Sequence, residues 1–227
     1  MNVLSLADIT EADMKRITRF FVKREPAYAW EQQDSETLSD EEHHMLAVLT
    51  TRLQRDKTSL MNEATIWSRA IYPLLMLAEQ GDIRAWAQVT LRATFPHVVL
   101  QGVADGMLAS GITGVAEIPY LVVVETKRGI EAQDPRFQLC GQLLAAARLN
   151  WERNQQPVQV IHGCYTIIDN WTFLSATVED VESDAPRMVI EFSREYTQKS
   201  EAATILRILK RIVAAHVATA ADVVALS

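Results

Sequence analysis

Pro119-Tyr120-Leu121-Val122-Val123-Val124-Glu125-Thr126-Lys127 is a continuous apolar run that ends in two charged residues. Such a run, rich in β-branched side chains, predicts a strand buried on both faces. Side chains alternate along a strand, so Glu125 and Lys127 share a face, about 7 Å apart along the backbone. Charges are rarely set beside a buried strand core. A carboxylate and an ammonium here are either an ion pair closing the strand end or working parts of a site.

Outward from this strand, the C-terminal side opens with Gly129, which ends it, and Asp134-Pro135, which starts a helix with Asp as N-cap and Pro at the first helical position. That helix should reach about residue 151. A strand over residues 158–165 turns at Asp169-Asn170 and returns over 171–178 as its hairpin partner. A further strand spans 188–192, and a final helix runs from Ser200 to about residue 217.

On the N-terminal side, residues 62–80 predict a helix with Ile66, Ala70, Leu74 and Leu77 as its apolar stripe. Pro73 should kink or split it. Strand material follows over 87–91, 98–103 and 107–108. Residues 1–30 look helical, with Thr10 as N-cap, Asp13 three positions on, and Met14, Ile17, Phe20 and Phe21 on one face. An acidic loop and a short helix from His43 to Leu53 complete this part. The reading is an α/β fold in two parts: a helical N-terminal extension over residues 1–60 and a sheet domain over 61–227.

Composition permits such a fold without staples. With 227 residues and 48% hydrophobic content the chain can bury a core. Its two cysteines, Cys140 and Cys164, form no C-x-x-C pair and lie in apolar segments, which predicts buried thiols in a reducing compartment. No long apolar run and no basic leader occur, so a cytoplasmic location is expected and no membrane partner. The net charge of −7 argues against a general nucleic-acid coat protein. Of the 22 Lys/Arg and 29 Asp/Glu, 5 and 10 fall in residues 1–45, leaving 17 and 19 for a near-neutral remainder.

Asp105 sits between Gly102 and Gly106, upstream of the valine run. A hairpin would bring it beside Glu125, with the two glycines leaving room for a bend and for the carboxylate. Two carboxylates and one ammonium then converge. Hard cations such as Mg²⁺ take oxygen ligands of this kind. Asp105 and Glu125 would hold the ion, a backbone carbonyl near Thr126 would add an oxygen, and Lys127 would position water or stabilise a phosphate. In the plain alternative Asp105 is a turn carboxylate.

Asp105, followed 20 residues later by Glu125-Thr126-Lys127 on a Val-rich strand, resembles the PD-(D/E)XK motif of the restriction-endonuclease-like nucleases. The similarity covers about residues 62–178. It is nearest to uncharacterised bacterial, often cyanobacterial, members related to the N-terminal nuclease region of type I restriction subunits. These pair a V-E-x-K strand with a Q-x3-Q-x2-A-A helix, here Gln138 to Ala146, and a W-x-F-L hairpin, here Trp171 to Leu174.

The resemblance implies a restriction-endonuclease-like core: helix, three-stranded meander, helix and strand, followed by a hairpin and a C-terminal helix. It implies a Mg²⁺-dependent endonuclease acting on DNA, with Mn²⁺ substituting and RNA as another substrate. It implies Asp105, Glu125, Lys127 and Gln138 as catalytic residues and Glu63 as a third metal-binding carboxylate. Arg128, Arg136 and Gln142 are expected to touch nucleic acid, and a homodimer would let two copies cut both strands. The chain departs from the motif at Ala104, where the family has proline, and at Gly106, where relatives carry a large apolar residue.

Other residues have bland readings. His43-His44 is surface, His162 with Cys164 is packing, and Trp67, Trp86, Trp151 and Trp171 are core or rim. Arg207, Lys210 and Arg211 on the last helix are surface charges. Two competing functions stand beside the endonuclease: a catalytically inactive binding or scaffold module, and a phosphoesterase for a small or RNA substrate.

Overall fold

The β5 strand (Glu117–Lys127) lies inside the sheet because its valines are buried from both sides: Val122 and Val124 belong to one core, Val123 to the other. A computed structural model describes residues 2–25, 28–31, 37–111, 114–127 and 134–225, with side chains to Val217. Arg128 lies outside the described residues.

In chain order the strands are β1 (Asn2–Ser5), β2 (Arg19–Lys23), β3 (Ile83–Thr94), β4 (Val98–Ser110), β5, β6 (Val158–Ile167), β7 (Asn170–Glu179) and β8 (Arg187–Thr197). The longer helices are α1 (Glu11–Ile17), α2 (Asp40–Arg55), α3 (Glu63–Ile66), α4 (Tyr72–Leu77), α5 (Pro135–Asn154) and α6 (Gln198–Ala225). The strands form one mixed sheet in the order β1-β4-β5-β6-β7-β8-β2, with β3 also on β4. β5 and β6 are parallel, joined through α5; β3–β4, β4–β5, β6–β7 and β7–β8 are antiparallel.

Helices cover both faces. On one side α5, α1 and the segment around Leu6 close the first core; on the other α2, α3, α4 and α6 close the second. α5 is buried over most of its length, including Gly141, where an added Cβ would meet Ile9 and Leu6 at 3.0 Å. Cys140 and Cys164 are buried and free. No helix among the described residues is long and apolar enough to cross a membrane.

Two expectations change. The first 60 residues are not an all-helical extension: β1 pairs parallel with β4, and β2 pairs parallel with β8. Phe20 and Phe21, expected on one helical face, alternate in β2, half-buried and exposed. The helix signal was real but short, since Thr10 and Asp13 form a capping box and α1 ends at Ile17. Second, residues 62–80 remain helical around Pro73 by widening: a π-helical turn (Trp67–Ile71) separates α3 from α4. A proline lacks the N–H and crowds the carbonyl four residues back, and a wider turn relieves both.

The β3–β4 ladder runs from Ile83↔Ser110 to Thr94↔Val99 and omits one facing pair, Gln88 and Asp105. Both strands change face there. Val89, Leu91 and Ala93 point into the α5-side core, whereas Ile83 and Ala85, of the same parity, point into the other. In β4, Leu100 and Ala104 lie on the α5 side but Leu108 on the opposite side. Gln88 has φ 55°, and this single left-handed residue accounts for the turnover.

Candidate active site

β4 and β5 pair through Gly106↔Val124 and then part. The next facing pair would be Asp105 and Glu125, and there the two strands no longer pair. Beyond the fork, β1 takes over the edge of β4 at Val98 to Gln101. The Asp105 carboxylate fills the gap: its Oδ2 accepts the Thr126 backbone N–H at 2.8 Å, which closes the ladder position. Its Oδ1 accepts from Gln88 Nε2 at 3.4 Å. Asp105 is thus held by the same irregularity that turns both strands over.

Glu125 is 1% exposed. Its Oε1 accepts from Lys127 Nζ at 2.7 Å and its Oε2 from Gln142 Nε2 at 2.8 Å. Burial, and next the charge of Asp105, push its carboxyl up to about 7, against the pull of Lys127 and Gln142. Burial likewise raises Asp105, opposed by the Thr126 N–H, Lys127 and Gln88, and reinforced by Glu63. For Lys127, burial works against the ammonium, but Glu125, Asp105 and Glu63 outweigh it and raise its pKa. One ammonium therefore faces two carboxylates that repel each other, Glu125 buried and Asp105 half-buried, and the spot is short of positive charge.

The expected residues fall into three groups. Asp105, Glu125 and Lys127 come together. Glu63, the exposed first residue of α3, lies close enough for its charge to act on Asp105 and Lys127. Gln142, expected to touch nucleic acid, is fully buried against Glu125, so it is sealed from any polymer. Gln138, expected to be catalytic, is also buried, one turn nearer the helix start, and no hydrogen bond among the described residues joins it to Glu125. Both glutamines lie on one face of α5, and the height of the helix over β5 sets Gln142 rather than Gln138 opposite Glu125. Arg136 is exposed and is held by Asp134 through bonds of 2.5–2.9 Å.

Gly106 serves a purpose other than leaving space for the carboxylate. A Cβ there would lie 2.1 Å from the Trp67 ring. Trp67, on the π turn, fills the volume that a large apolar residue after Asp105 would take. Gly102 similarly admits Leu6, whose Cβ would be 2.7 Å from an added one. His162 is packing, as expected: its ring lies 5.8 Å from that of Trp30, and burial lowers its pKa to about 4.

Gln88 was missed by the sequence reading. A register count from the Pro96–His97 turn would have found it, since Gln88 and Asp105 are equidistant from that turn.

Among the described residues no group of three or more His, Cys, Asp or Glu side chains is gathered to hold a metal ion. The donor set nonetheless suits a hard divalent cation: two carboxylates at a fork, both raised by burial, with an incomplete counter-charge. No known family model matches the chain, and no curated protein does.

Proposed function

We propose that this chain is a divalent-metal-dependent phosphodiesterase acting on DNA, built on a restriction-endonuclease-like core. The observation that carries it is the approach of two carboxylates at the β4–β5 fork, buried Glu125 and half-buried Asp105, close enough for each charge to act on the other, with Lys127 bonded to Glu125. The order of helix, three antiparallel strands, helix and a strand parallel to the third supports the core reading. So does the position of the acidic pair at the strand fork.

Asp105 and Glu125 would hold Mg²⁺ or Mn²⁺, with Glu63 reaching it from the start of α3. Held there, the ion would supply a water of lowered pKa and charge to offset that on the phosphate. Gln142 keeps Glu125 turned toward the fork and favours its charged form. The Thr126 N–H fixes Asp105, leaving Oδ1 for a ligand. Lys127 shifts from Glu125 toward the attacking water or a non-bridging phosphate oxygen, where its charge stabilises the transition state. The products are a free hydroxyl and a phosphomonoester.

A second reading, an inactive nuclease-fold scaffold, is favoured by the short Lys127–Glu125 ion pair, which satisfies one carboxylate oxygen without any ion. Cleavage of labelled single- and double-stranded DNA with Mn²⁺, comparing wild type with Lys127→Ala, separates the two. Equal residual cutting by both proteins would assign the activity to a contaminant and favour the scaffold.

A further inference from the structure

Helix α2 buries Leu46 and Leu53 against α6 and the π turn. About a third of a turn round the helix from that face, a second stripe points outward. Glu41, Met45, Val48, Arg52 and Arg55 follow one another at alternating intervals of four and three residues, the spacing of a coiled-coil seam. All five are exposed, Met45 at 43% and Val48 at 37%. No ion pair among the described residues holds Glu41, Arg52 or Arg55. Single exposed apolar residues are ordinary on a protein surface. These two are set apart by their shared phase and by the charges that bracket them: acid before, base after.

We infer that this stripe is a self-association surface, on which a second copy of the chain lays its own α2 antiparallel about a two-fold axis between positions 46 and 47. The axis sets Glu41 opposite the partner's Arg52 and Met45 opposite the partner's Val48, and repeats both pairs by symmetry. Arg55 lies beyond them, toward the partner's first turn, where Asp40 is exposed. The inference goes beyond the phosphodiesterase reading and does not rest on its metal site.

Complementarity chooses the occupant. Reversed, the stripe matches itself in charge and in apolar content; aligned in parallel, it would set Glu41 on Glu41 and Arg52 on Arg52, which repel. The antiparallel arrangement also brings the first turn of each helix to the last turn of the other, so the helix dipoles oppose. A cavity of about 410 Å³ beside the basic half adds to the match. Leu49 and Leu53 give it apolar wall, and Arg52, Arg55 and Arg69 outnumber Asp56, which holds only Arg69 at 3.2 Å. The partner's acidic first turn supplies the missing carboxylates. A polyanion would meet the same arginines, but it would leave Met45 and Val48 uncovered and would face Asp40 and Glu41. Two helices of 16 residues touch along about 24 Å. Such a contact is at the small end of specific interfaces, so the dimer is weak, with a Kd of about 10–100 μM.

Sedimentation velocity of the full chain between about 1 and 300 μM tests this. The wild type should pass from monomer to dimer over that range, and raising salt from about 0.05 to 0.5 M should weaken the dimer several-fold. Glu41→Arg and Arg52→Glu should each weaken it at least about tenfold, since each sets two like-charge pairs across the axis. Combining the two reversals restores opposite charges and should recover the dimer to within about threefold of the wild type. Reversals near helix ends also loosen the helix, so Val48→Glu, in mid-helix, gives a second reading and should leave a monomer throughout. A wild type that stays monomeric, a dimer indifferent to Val48→Glu, or a folded double variant no better than either single one would overturn the inference. So would a monomer that binds labelled oligo-dT and loses it in Arg52→Glu, which would give the stripe to a polyanion. Absence of metal-dependent cleavage would remove only the phosphodiesterase reading.

Discussion

Helix α5 lays two buried amides on β5, one at each end of the strand, and they differ in kind. At the start, Asn150 makes a matched pair with the Tyr120 backbone: its Nδ2 donates to the carbonyl at 2.9 Å and its Oδ1 accepts the N–H at 2.9 Å. At the other end, Gln142 donates to Glu125 and, at 3.4 Å, to the Val103 carbonyl, while its own Oε1 is buried with no partner among the described residues. The first amide is neutral, complementary and complete. The second supports a charge that burial disfavours and leaves an acceptor unpaired. Complete bonding stabilises a fold, whereas an incompletely satisfied charged cluster is held at a cost to stability, which makes this end the candidate site.

The comparison breaks most easily through Lys127. Lys127→Ala should reduce metal-dependent cleavage about a hundred- to a thousandfold, in initial rates on a labelled oligonucleotide. Asn150→Ala, by contrast, should leave the rate per folded molecule unchanged. If Asn150→Ala proves as damaging to the rate, the distinction between the two ends fails.

Glu125→Gln sharpens it next. The folded pKa is raised from 4.5 to about 7, so the folded state holds an extra proton between those values. Stability contributed by this group is therefore full below pH 4.5 and is lost as pH rises through about 7. Removing the charge should stabilise the protein above pH 7 by at most about 3 kcal/mol in urea melts. It should flatten the pH dependence between 4.5 and 7. Gln142 can turn its unpaired Oε1 toward the new amide. A variant less stable than wild type at pH 8 would show that the charge is fully compensated.

Divalent ions should act at this end alone. At a hundred times its Kd, Mn²⁺ should stabilise the wild type by about 2.7 kcal/mol. It should leave Asp105→Asn and Glu125→Gln unmoved, and its affinity should rise with pH up to about 7 as the carboxyl deprotonates. An equal shift of melting temperature in all three proteins would place the ion elsewhere. The smallest effect belongs to Asn150→Ala, which strips two buried backbone partners and should cost about 2 kcal/mol by the same melts.

Local signals in the sequence were strong where one element carried its own pattern. The Val122–Val124 run, the Asp134-Pro135 helix start and the Asp169-Asn170 hairpin all appear at the expected places. They failed where partners lie far apart in the chain. Residues 2–5 and 19–23 are short strands whose apolar pattern suits a helix face equally well, and only the waiting edges of β4 and β8 settle it. The pairing of Gln142 rather than Gln138 with Glu125 depends on the height of α5 over β5, which no spacing within the helix reveals.

Alone, the sequence determined which groups carry charge at the end of an apolar strand, because alternation along a strand is a property of the backbone. It also determined where α5 begins, through Asp134 and Pro135. Tertiary structure decided that Asp105 meets the Thr126 N–H, that Trp67 covers Gly106, and that Gln142 meets Glu125. These depend on register and on the left-handed residue Gln88, past which the apolar side chains of both strands turn to the opposite core.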